Sequence, residues 1–96
     1  MEDLKSKEIN TNSKLDTLLQ LMIITMEECG ELIQRCSKCI RSGEYYDDKK
    51  LLEEVGDVYT MFELMQELDV ISWDDVEERV KVKRAKLKKW SSLVNE

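Results

Sequence analysis

The segment SKLDTLLQLMIITMEECGELIQRCSKCIRS, residues 13–42, carries the clearest structural signal in the chain. Apolar side chains recur in it at Leu15, Leu18, Met22, Met26, Cys29, Ile33, Cys36 and Ile40, in steps of three and four. That period marks one face of an α-helix. Ser13 is suited to cap its start, and Ser42-Gly43 to close it, because glycine takes the left-handed conformation that ends helices. Working outward, Asp47 or Asp48 is placed to cap a second helix, with Leu51, Val55, Val58, Phe62 and Met65 as its seam, fading near Asp69. Ser72 and Asp75 stand at capping-box spacing. They predict a third helix from Trp73 to about Leu93, seamed by Val76, Val80, Leu87 and Trp90. Residues 1–12 are polar with no sustained period and read as a loose arm, leaving 13–96 as one domain.

Composition points the same way. The 96 residues contain no proline and three glycines, and are rich in Leu, Lys, Glu and Met, which favours helices over a turn-rich β fold. The expectation is all-α: an antiparallel bundle of long helix, short loop, helix, short loop, helix. A chain this short buries only about 60–65% of its unfolded surface, so its core is thin. With 42% hydrophobic residues it has more apolar face than three helices cover, and homo-oligomerisation is expected to complete the bundle.

Three cysteines with no secretory signal point to a reducing, cytoplasmic setting rather than a disulfide framework. The longest apolar run, Leu18 to Met26, is interrupted by Gln20 and too short to span a bilayer. A net charge of −6 argues against general nucleic-acid binding, which depends on neutralising phosphates. The charge is uneven. Arg79, Lys81, Lys83, Arg84, Lys86, Lys88 and Lys89 form a block without an acid, and the remaining eight basic residues face 21 acids, a balance of −13.

The acids also occupy unusual places. On the first helix one row reads Leu21, Ile24, Glu28, Glu31; on the second, Glu54, Asp57, Met61, Leu64, Leu68. A solvated face does not ordinarily continue as Leu and Met, so these four carboxylates are expected to point partly inward, where they are costly unless protonated, paired or metal-bound. In an antiparallel pair of helices the two acid pairs stand within about two turns of one another. Hard oxygen ligands without histidine or paired thiolates select Mg²⁺, with Mn²⁺ as a substitute. Glutamates at such spacing are also common on solvated helices. Each pair here, however, encloses a glycine, Gly30 or Gly56, which costs a helix about 1 kcal/mol relative to alanine and permits close approach.

The motifs EECGE (Glu27 to Glu31) and EVGD (Glu54 to Asp57), the second within LLEEVGDVYTMFELM, resemble the EExxE and ExxD signature of the all-α nucleoside triphosphate pyrophosphohydrolase superfamily. That superfamily includes MazG, the dimeric dUTPases and phosphoribosyl-ATP pyrophosphatase. The resemblance spans about residues 14 to 90. It implies Glu28, Glu31, Glu54 and Asp57 as Mg²⁺ ligands. It also implies hydrolysis between the α- and β-phosphates of a nucleotide, giving a nucleoside monophosphate and pyrophosphate, in a homodimer or homotetramer. Glu31 or Glu27 would be the base that takes the water's proton.

Cations for the substrate phosphates are expected from the basic block. Lys83 interrupts the seam of the third helix and should face inward or toward a cleft, with Arg79 and Lys86 flanking it at helical spacing. Related enzymes often carry Lys followed by Asn and Arg in the last helix; KVKRAKLKK (residues 81–89) lacks the Asn. Trp73 and Trp90 are expected to pack rather than stack on a base. Cys29, Cys36 and Cys39 share a face and are expected in the core. The competing reading is a non-catalytic helical interaction module whose acids pair with a partner's basic helix.

Overall fold

The computed structural model of the chain describes the backbone of residues 2–95 and the side chains of residues 15–95. It contains α1 (Glu2–Ser42), α2 (Lys49–Glu67) and α3 (Trp73–Trp90), and no strand among the described residues. The expected arm, 1–12, lies outside the residues described with side chains. α1 has no break at Ser13, the expected N-cap; neither glycine nor proline precedes Gly30 to interrupt it. None of the described helices is long and apolar enough to cross a membrane. The chain divides into two compact units, Met1–Leu64 and Met65–Glu96.

In the first unit α1 closes as its sequence predicts. Gly43 adopts φ 73° and its N–H donates to the Cys39 carbonyl at 2.8 Å, the left-handed cap for which glycine carries no Cβ penalty. Asp47 turns the chain at φ 57°, a conformation that Asp tolerates better than most residues. Asp48 then caps α2: its Oδ1 accepts the Leu51 N–H at 2.7 Å.

The covered rows differ from the predicted seams. On α1 one row of buried or half-buried positions runs Leu18, Leu21, Thr25, Glu28, Leu32, Arg35, Cys39, with Asp16, Gln20, Ile23, Cys29, Gly30 and Ser37 covered beside it. Of the expected row, Leu15, Met26, Ile33 and Ile40 are well exposed, as is Cys36. On α2 the covered row is Leu51, Glu54, Val58, Met61, while Val55 and Phe62 are exposed. Each helix carries two apolar rows with the same spacing, and periodicity alone does not say which one a neighbour covers. Among the described residues the buried apolar side chains of this unit are Leu21, Cys39, Val58 and Met61, a thin core as expected of a short chain.

In the second unit α2 ends at Glu67, and Asp69 turns the chain at φ 60°. Ser72 occupies the N-cap of α3 in extended conformation, but its side chain makes no cap hydrogen bond. The capping box therefore does not form. Gln66 serves this end instead, its Oε1 accepting the Trp73 N–H at 2.6 Å. α3 stops at Trp90 rather than Leu93. Ser91 turns extended, its N–H and hydroxyl both donate to the Leu87 carbonyl at 2.8 Å, and its Oγ accepts the Leu93 N–H. No residue of α3 is buried: Val76 and Leu87 are half-buried, Val80 and Trp90 exposed. Asp74 and Asp75 in its first turn and Lys88 and Lys89 in its last complement the helix dipole.

Candidate metal centre

Glu28 and Glu31 lie three residues apart on α1 and project from one side of it. Asp57 of α2 joins them, so that one carboxylate oxygen from each of the three residues lies within 4.8 Å of the other two. Glu28 is half-buried, and Glu31 and Asp57 are exposed. The Glu28 Oε2 atom is buried and has no hydrogen-bond partner among the described residues. Burial first, then repulsion from Glu31, Asp57 and Glu54, pushes the Glu28 carboxyl above the usual carboxylate range. An acceptor facing other acceptors, shielded from water, is a place where a cation is favourable.

Three of the four predicted ligands thus converge. The fourth, Glu54, is buried on the covered row of α2, with Oε1 3.8 Å from Lys50 Nζ. It lies near enough to act on Glu28 but outside the trio. Lys50 also approaches Glu53 at 3.7 Å. Glu27 is exposed and outside the trio as well. Arg79, Lys83 and Lys86 are exposed on α3, so Lys83 does not have the inward position its place in the seam suggested; a long cationic side chain keeps its head in water.

Among the described residues neither glycine of the acidic motifs is approached closely: a Cβ built on Gly30 or on Gly56 meets nothing within 4 Å. The thiols are free and differ in setting, Cys39 buried, Cys29 half-buried and Cys36 exposed. Only Cys39 is the core residue that all three were expected to be.

Sequence reasoning missed the clamp at the foot of the site. Arg35 donates from Nε and from a terminal nitrogen to the two oxygens of Asp48, at 3.0 and 2.5 Å, a bidentate pair. Cys39 Sγ lies 3.8 Å from the same carboxylate. The guanidinium hydrogen bonds, then the Leu51 N–H, hold Asp48 down at about 2. The available signal was that Arg35 stands seven residues after Glu28 and therefore on the same row of α1. An open apolar groove over the α1–α2 turn, lined by Tyr45, Leu51, Leu52 and Val55 among others, has its Asp48 committed to that clamp; the carboxylate trio is the better candidate site.

No family model, no curated protein and no solved structure matches this chain.

Proposed function

We propose that this protein is a Mg²⁺-dependent nucleoside triphosphate pyrophosphohydrolase of the MazG-like kind, acting in the cytoplasm as a homo-oligomer. It would cleave the bond between the α- and β-phosphates of a ribo- or deoxynucleotide to release a nucleoside monophosphate and pyrophosphate. The observation that carries the reading is the convergence of Glu28, Glu31 and Asp57 around a buried, unpartnered carboxylate oxygen. Such all-oxygen donors fit Mg²⁺, and Mn²⁺ in its place. The helices are taken as an antiparallel hairpin. Arg35 meets Asp48 beside the turn, and Glu28 and Glu31, farther from the turn on α1, meet Asp57, farther along α2.

When bound there, the metal would supply Lewis-acid stabilisation of charge on the polyphosphate. Glu28, Glu31 and Asp57 would hold it, with Glu54 as the remaining ligand once released from Lys50. Either Glu31 or Glu27 would accept the proton of the water that adds to phosphorus as the bridging oxygen leaves with pyrophosphate. Arg79, Lys83 and Lys86 would take phosphate charge. The salt bridge between Lys50 and Glu54 favours a second reading, a non-catalytic interaction module in which the acids are satisfied by cations.

A panel of ribo- and deoxynucleoside triphosphates incubated with and without Mg²⁺, products separated, discriminates the two. Mg²⁺-dependent formation of monophosphate plus pyrophosphate is expected. Diphosphate plus phosphate would refute the assigned bond. Absence of both turnover and saturable Mg²⁺ binding would leave the interaction module.

A further inference from the structure

Between Lys14 and Arg79 the chain has seventeen acids and five bases, and all five bases, Arg35, Lys38, Arg41, Lys49 and Lys50, fall within residues 35–50 around the α1–α2 turn. Four of them, Arg35, Lys38, Lys49 and Lys50, line an open cleft of about 570 Å³ on the first unit. The acids of this cleft are Glu44, Asp47 and Asp48. Asp48 is taken up by Arg35, which leaves three lysines against two exposed carboxylates.

Lys38 and Lys49 have no ion-pair partner among the described residues. Lys50 is held loosely: its Nζ stands 3.7 Å from Glu53 and 3.8 Å from Glu54, beyond hydrogen-bond length. An exposed lysine in such a pair gains little from it and is free to exchange partners.

The cleft is in register with the carboxylate trio. Arg35, in its wall, follows Glu31 by one turn of α1. Lys38 follows Glu31 by seven residues, and Lys50 precedes Asp57 by seven. Seven residues make nearly two full turns, so each lysine shares the side of its helix that carries the trio, about 10 Å along. Both displacements run toward the α1–α2 turn, and both lysines line the one cleft. A chain of phosphates anchored on the trio at one end therefore meets ammonium groups at the other. Lysine binds phosphate as a point charge. The α3 cations Arg79, Lys83 and Lys86 belong to the other compact unit.

We propose that this cleft is a pyrophosphate site, with Lys38 and Lys50 as its binding cations. On the hydrolase reading, on which this role rests, it holds the β- and γ-phosphates. As water adds to the α-phosphorus, the bond to the bridging oxygen breaks, its electron pair leaves on that oxygen with pyrophosphate, and the water's proton goes to the carboxylate base. The lysines face the charge that develops on the departing group, where prearranged cations act most strongly. Lys50 would exchange Glu54 for phosphate, which frees Glu54 for the trio.

Titration calorimetry of the full chain with inorganic pyrophosphate and Mg²⁺ tests the site without turnover. Lys38→Gln and Lys50→Gln are each expected to raise the pyrophosphate Kd about tenfold or more. Lys38→Arg should retain wild-type affinity, and Arg41→Gln, near the turn but outside the cleft, should not change it. Lys38 is exposed and unpaired, so its variants are expected to keep the helical content of the wild type. An unaltered Kd in both glutamine variants would overturn the proposal. So would a loss confined to Arg79→Gln or Lys83→Gln, or no pyrophosphate binding by the wild-type chain. Turnover is scored separately on the nucleotide panel. A chain without turnover whose pyrophosphate binding depends on Lys38 keeps the site and loses the hydrolase reading; an active chain whose binding is indifferent to Lys38 and Lys50 does the reverse.

Discussion

Glu28 holds Oε2 away from water with no hydrogen-bond partner for that atom among the described residues, and its carboxylate faces those of Glu31, Asp57 and Glu54. Its carboxyl binds a proton more tightly in the folded chain than in the unfolded one. The stability contributed by the protonated form is therefore present at low pH and lost as pH rises through the raised folded value. A divalent cation would relieve the repulsion at neutral pH and compete with the proton at lower pH. At a hundred times its dissociation constant, Mg²⁺ should stabilise the chain by about 2.7 kcal/mol, on the order of 10 °C in Tm. That gain should shrink by pH 4.5, the ordinary glutamate value that Glu28 lies above, and vanish in Asp57→Asn; a scan of Tm against Mg²⁺ at pH 7 and pH 4.5 checks it. For catalysis, Glu31→Gln should lower turnover by about 10²–10⁴-fold if the group inside the cluster is the base, and Glu27→Gln, outside it, by much less. The reverse ranking would move the proton transfer to Glu27.

Among the elements, the two helix starts make a contrast that stability measurements can read. Asp48 caps α2 with a real hydrogen bond and is clamped by Arg35, whereas Ser72 stands before α3 with no side-chain bond. Asp48→Ala should lower Tm on the order of 5 °C, and Ser72→Ala should leave it within about 2 °C. The Asp48 carboxyl is lowered from 3.8 to about 2 by its hydrogen bonds to Arg35 and the Leu51 N–H. Its contribution is thus fully present above pH 3.8 and disappears as pH falls toward 2. Acid titration of wild type and Asp48→Ala should show a difference in Tm that closes across that window. A constant difference would mean that the cap and clamp do not depend on ionised Asp48.

For the whole molecule, the exposed second rows of α1 and α2 make stability depend on concentration if a second copy covers them. Tm should rise as protein concentration is raised through the range where association occurs, and that dependence should be lost in Met26→Glu. Scanning calorimetry at three concentrations reads this directly. A Tm independent of concentration together with a monomeric mass would leave an apolar face of unusual size for a monomer, with no copy of the chain on it.

The local period of apolar residues, the glycine at position 43 and the aspartate at 48 were enough to place three helices and two turns, since each acts through its own backbone or the next turn. The pairing of Glu28 with Glu31 was equally legible, because helical spacing alone puts them on one side. Tertiary structure decided what period leaves degenerate. It chose which of two equivalent apolar rows on each helix is covered, brought Asp57 to the glutamates, set Glu54 beside Lys50 and spanned the turn with the Arg35–Asp48 clamp. It also left Lys83 and Trp90 in water where a seam had been read. Spacing along one helix is a property of the chain, whereas burial and ion pairing depend on which face another element meets, and that is resolved only when the elements pack.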